Sequence, residues 1–77
     1  MEIQEFVEKF AEQFDDTDAS VFTPATEFRG IDEWSSIIAL SVIAMVDEEY
    51  GLTIKGEDIK NSITIEDLFN IVQSKAK

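Results

Sequence analysis

The side chains that do most enzymatic chemistry are missing from this chain. It contains no cysteine and no histidine. Thiolate nucleophiles, thiolate metal sites and disulfides are therefore excluded. The commonest general base and the commonest zinc ligand are excluded with them. Hydroxyls and carboxylates remain. The hydroxyls best placed for a role are Ser35 and Ser36, directly ahead of the apolar run Ile37–Val46. A serine at that boundary can cap a helix, by accepting from an unpaired backbone N–H. It also sits at the positive end of the helix dipole, where a phosphate ester on its hydroxyl is tolerated.

The carboxylates are numerous but not arranged for catalysis or metal binding. Asp16, Asp18, Ser20 and Glu27 fall at positions one, three, five and twelve of a calcium loop, yet Val21 occupies the position that requires glycine. No paired-carboxylate spacing for acid–base work is legible. The acids read most simply as a solvated face, and the chain is expected not to be an enzyme. Trp34 is expected to pack within its loop, and Met45 to be core or flank.

The charge narrows the choice of partners. Seventeen acidic residues stand against six basic ones, a formal net charge of -11. Nucleic acid and anionic membrane surfaces are disfavoured, because both require Lys and Arg. Protein partners with basic surface patches are favoured, through steering and complementarity. The start, MEIQEF, lacks a basic segment followed by an apolar run, so no signal peptide is expected. Ile37–Val46 is about half a membrane span, so no membrane insertion is expected. The expectation is a cytoplasmic monomer, with residues 1–77 forming one domain.

The elements that must position Ser35 and Ser36 follow from periodicity. Ile3, Phe6, Val7, Phe10 and Phe14 recur at helical spacing, which predicts a first helix from about Ile3 to Phe14. A long connection follows, from about Asp15 to Ser35, punctuated by Pro24 and Gly30. Its apolar residues Val21, Phe22, Phe28, Ile31 and Trp34 imply that it packs on the helices. The second helix is predicted over Ser36–Tyr50, with Ser35 or Ser36 as N-cap and Gly51 as its stop. Ala39, Val42, Ile43, Val46 and Tyr50 form one face of it; Ile37, Ser41, Ala44 and Glu48 lie opposite. A short helix is placed at about Glu57–Lys60, with Ile59 inward. A last helix begins after Thr64, which with Asp67 approximates a capping box. Lys75 and Lys77 favour its C-terminal end. The only strand candidate, Leu52–Lys55, has no partner. The fold class is all-α, a bundle of three main helices and one short one, with a long packed loop between the first two.

The run Trp34-Ser35-Ser36-Ile37, the closing Asp47-Glu48-Glu49-Tyr50-Gly51, and the later Leu52-Thr53-Ile54 and Thr64-Ile65-Glu66-Asp67-Leu68 together resemble the acyl carrier protein family. The resemblance covers nearly the whole chain, in length, helix order, long first loop and acidity. In that family an Asp-Ser-Leu motif opens the second helix, often after Trp, and its serine carries 4'-phosphopantetheine. Trp34-Ser35-Ser36-Ile37 matches in register, and the spacing from Ser36 to Tyr50 matches the family's spacing from serine to aromatic. The resemblance therefore implies Ser36 as the attachment point. It departs from the pattern at Ser35 for Asp, at Ile37 for Leu, and at Ser41, where many members carry an acid. Asp32 and Glu33 are the nearest carboxylates that could stand in for the missing Asp.

The implied function is an acyl carrier protein. It would hold acyl groups as thioesters on the arm and present them to enzymes of fatty-acid, polyketide or related synthesis. The arm would supply the thiol this chain lacks. The implied partners are a phosphopantetheinyl transferase and acyl-transferring enzymes, met through Ile37, Ser41, Ala44, Asp47 and Glu48. Ala39, Val42, Ile43, Val46, Phe28, Ile59 and Leu68 would line the core. The competing reading is a non-enzymatic interaction module with the same bundle and no prosthetic group.

Overall fold

A computed structural model describes residues 2–76; Met1 and Lys77, named above, lie outside them. Four α-helices follow in order: α1 (Ile3–Ala11), α2 (Ser36–Tyr50), α3 (Gly56–Lys60) and α4 (Ile65–Lys75). Two single 3-10 turns, Ala19–Val21 and Phe28–Gly30, lie in the connection between α1 and α2. The described residues contain no strand. Leu52–Lys55 is irregular, and it holds Ile54 in the core at 1% exposure. α1 packs on α2 and α4, and α3 packs on the same two helices. No helix among the described residues is long and apolar enough to cross a membrane.

α1 ends at Ala11, a turn earlier than its apolar spacing predicts. The backbone tightens there: Gln13 N–H donates to Phe10 C=O and Phe14 N–H to Ala11 C=O, both three residues back. The tighter turn keeps Phe14 on the core side, buried, so the apolar pattern outlasts the helix. Gln13 Nε2 also donates to Lys9 C=O, at 3.0 Å, and satisfies a carbonyl the helix end leaves open.

The core is largely aromatic. Phe6, Phe10 and Phe28 are fully buried, and Phe14, Phe22 and Phe69 nearly so. Phe10 lies at its centre, edge-on to Phe28 at 5.3 Å and parallel to Trp34 at 6.4 Å between centroids. Such pairs add about 0.5–1.5 kcal/mol each beyond the area they bury. Three of these rings, Phe22, Phe28 and Trp34, come from the connection, so that segment is part of the core.

The connection also closes the start of α4. Ile65 N–H donates to Thr26 C=O (3.1 Å) and Glu66 N–H to Pro24 C=O (2.9 Å). Thr64 Oγ1 accepts from Asp67 N–H at 3.1 Å, and Asp67 Oδ2 accepts from the N–H groups of Ile63 and Thr64. These backbone bonds hold the Asp67 carboxyl below its usual range. α3 is fastened in a similar way, by Asp58 Oδ2 accepting from Lys55 N–H at 2.9 Å. Asp58 also faces Lys75 of α4, at 3.7 Å.

Candidate functional site at the start of the second helix

α2 is the most apolar helix of the molecule. From Ser36 to Val46 it carries no charge. Val42, Met45 and Val46 are buried against the other helices. Ala39 and Ile43, expected to line the core, are half-buried at its flank, whereas Phe28, Ile59 and Leu68 lie fully within it. Gly51 stops the helix in the left-handed region, at φ 65°. Its N–H returns to Asp47 C=O at 2.9 Å. The fifteen residues from Ser36 to Tyr50 are thus one complete helix between two caps.

Ser35, not Ser36, is the N-cap. Its hydroxyl accepts from Ile38 N–H at 3.3 Å, and its carbonyl accepts from Ala39 N–H at 3.0 Å. Ser36 is consequently the first helical residue, and its side chain is exposed. Among the described residues, nothing accepts from the N–H groups of Ser36 and Ile37. No acid occupies the first turn to neutralise the dipole. A covalently attached phosphate at Ser36 would meet unpaired donors and a favourable field. Ser35 does the capping work an aspartate could do, without bringing a carboxylate.

Glu33 lies two residues before the cap, and its carboxylate is engaged at the far end of the connection. Both its oxygens are committed to the start of the connection: Oε2 accepts from Asp15 N–H at 2.7 Å, and Oε1 from Asp16 N–H at 3.0 Å and from Thr17 Oγ1 at 2.6 Å. The Thr17 hydroxyl does most to hold the Glu33 carboxyl below its ordinary value. Asp32, the other nearby carboxylate, is exposed. Trp34, between Glu33 and the cap, is half-buried against Phe28 (5.0 Å), Phe10 and Phe14. It packs, as expected of it.

The outward residues of α2 divide in two. Ile37 is 73% exposed and Leu40 is 66% exposed, beside Ser36. Asp47 and Glu48 are exposed about 16 Å further along the axis, at 1.5 Å per residue. Ala44 is exposed between them, and Ser41 is half-exposed. Ser41, Ala44 and Glu48 share a shallow groove with Lys9 and Gln13 of the α1 end, whereas Ile37 and Asp47 do not line it. Lys9 pairs with Glu49 across that groove at 2.9 Å, and this hydrogen bond raises the Lys9 pKa. Tyr50 closes the helix against Phe6, at 6.1 Å between rings. Burial, with Glu5 adding to it, pushes its hydroxyl pKa up.

Leu40 is the outward residue that periodicity misses. A helix apolar on nearly every side gives no phase from which to assign a face. The calcium-loop acids share a groove but form no metal cluster: among the described residues, no group of three His, Cys, Asp or Glu side chains could hold a metal ion. Asp18 instead caps the 3-10 turn, accepting from Ser20 N–H at 2.9 Å. That bond lowers its pKa. No protein-family model, curated protein or solved structure matches the chain.

Proposed function

We propose that this chain is an acyl carrier protein whose 4'-phosphopantetheine arm is attached to Ser36, and that it works as a cytoplasmic monomer. The observation that carries the reading is the placement of Ser36: exposed, first in a fifteen-residue helix, where its own N–H and that of Ile37 have no acceptor among the described residues. The helical order and the resemblance of the Trp34–Ile37 and Asp47–Gly51 segments support it.

Attachment is a phosphoryl-type transfer. A bond forms between Ser36 Oγ and the pantetheine-bearing phosphorus of coenzyme A, and the phosphoanhydride bond breaks. Adenosine 3',5'-bisphosphate would leave, and the serine proton would pass to a general base at the transferase active site. When bound, the arm would supply the thiol this chain lacks, suited to carrying acyl groups as thioesters. The chain's own part is to hold Ser36 at an open helix end and to offer α2 to partner enzymes. Ile37 and Leu40 offer apolar contact next to the arm, and Asp47 and Glu48 offer charge at a distance from it. A matching partner has an apolar rim at its active-site mouth and basic residues about three turns of helix away.

Incubation with coenzyme A and a broad-specificity phosphopantetheinyl transferase, followed by intact-mass measurement, tests the assignment. One arm is expected on the wild type and on Ser35→Ala, and none on Ser36→Ala. Addition that survives Ser36→Ala would place the attachment elsewhere.

The exposed pair Ile37 and Leu40 also favours a second reading, an interaction module that uses α2 with no prosthetic group. An unmodified wild type that still binds a partner through those two residues would select it.

A further inference from the structure

Three consecutive residues lead into α2, and each is held by a different part of the molecule. Ser35 is tied forward to Ile38 through its hydroxyl. Trp34 is held inward, its ring among Phe10, Phe14 and Phe28. Glu33 is tied backward, its carboxylate gripping the N–H groups of Asp15 and Asp16 and the hydroxyl of Thr17. The grip joins the two ends of the long connection, across 16 to 18 residues of sequence.

The surroundings make this grip specific. Asp16, Asp18, Glu27 and Asp32 line the same groove as Glu33, and no Lys or Arg lines it. Asp15 adds a further acid beside it. A carboxylate among so many like charges gains nothing from them. The three hydrogen bonds are what offset the repulsion.

We propose that Glu33 is a positioning residue for Ser36: by clasping the two ends of the connection together, it fixes the segment from which α2 starts and so orients the serine for modification. The part that concerns modification rests on the carrier reading. The clasp itself does not.

The charge pattern gives the test an unusual sign. Were Glu33 one more surface acid, Glu33→Gln would relieve repulsion and leave the start of α2 as firm as before, or firmer. As a clasp, the same change loosens it, because an amide cannot accept at both ends. Thr17→Val removes one of the three bonds from the far side of the connection, and Thr17→Ser keeps the hydroxyl.

The experiment is amide hydrogen exchange on the intact chain at neutral pH, together with transferase kinetics. In Glu33→Gln, exchange at Ile38 and Ala39 is expected to accelerate about 10-fold, and less in Thr17→Val, with the amides of α4 unchanged. Thr17→Ser is expected to match the wild type. The single tryptophan, Trp34, should shift its emission in Glu33→Gln alongside the exchange. For Ser36 modification, kcat should fall about 5-fold in Glu33→Gln with KM little changed, as loss of orientation rather than of docking requires. Unchanged exchange at Ile38 and Ala39, or equal acceleration across α2 and α4, would overturn the clasp. Altered exchange with unaltered kcat would overturn its role for Ser36. A wild type that accepts no arm would instead remove the carrier reading, and the exchange comparison would still decide whether Glu33 holds the start of α2.

Discussion

The starts of α4 and α2 are built to opposite specifications. At α4 every early N–H has an acceptor: Ile65 and Glu66 donate into the connection, Asp67 to the Thr64 side chain, and Leu68 to the Thr64 carbonyl. At α2 the first two N–H groups have none among the described residues, and the cap is a single 3.3 Å bond. Ile65 and Leu68 are fully buried, while Ile37 and Leu40 are mostly exposed. One end is a structural joint. The other keeps its donors and its apolar side chains free, at some cost in stability. That cost is understandable if an anionic group is to be added there and a partner is to dock beside it.

Substitutions in the first turns test the contrast most strongly. Leu68→Ala should cost about 2–5 kcal/mol, the range for emptying a buried leucine site. Leu40→Ala should change stability by no more than about 0.5 kcal/mol. Denaturant titration of the two variants measures both, and similar losses would mean that Leu40 is not outward.

The caps come next. Thr64→Ala should cost about 1–2 kcal/mol, because it breaks one arm of a reciprocal capping box. Ser35→Ala should cost about 0.5–1 kcal/mol, given its longer bond. Melting temperatures in one buffer would rank them, and a larger effect at Ser35 would invert the comparison.

Acid sharpens it further, by a smaller effect. Asp67, Asp18 and Glu33 all have carboxyl pKa values below their ordinary ones, held there by hydrogen bonds. Their contribution to stability is complete above the unfolded-state value and is lost as pH falls through the lower folded value. Stability should therefore decline on acidification below about pH 4. Asp67→Asn should be less stable at neutral pH and show a flatter acid limb, since its amide has no charge to lose. An unchanged acid limb would show that the α4 cap is not among the groups titrating.

Much of this was legible in residues whose role is local. Gly51 announces a helix stop because only a left-handed residue fits there, and Thr64 with Asp67 announces a start because the partners are three residues apart. Ser35 and Ser36 are equal as caps in the sequence; Ile38 N–H donating to the Ser35 hydroxyl and Ala39 N–H to the Ser35 carbonyl separate them. α1 is shorter than its apolar spacing implies because Phe14 stays in phase through a tighter turn. The outward turn of Leu40 was hidden by the uniform apolarity of α2. Glu33 was hidden for a different reason. Its partners are remote in sequence, and only the folded connection brings Asp15, Asp16 and Thr17 to it. In the sequence it stands out only, with Asp32, as a carboxylate close to Ser36, and nothing there points to a clasp.

The central claim is that the open start of α2 exists to carry a group on Ser36. Intact-mass analysis before and after treatment with coenzyme A and a phosphopantetheinyl transferase tests it directly. The account predicts one added arm, mapped to the peptide containing Ser36 and abolished by Ser36→Ala. A chain that stays unmodified under conditions that load a control carrier would contradict it, and the free donors at Ser36 and Ile37 would then need another explanation.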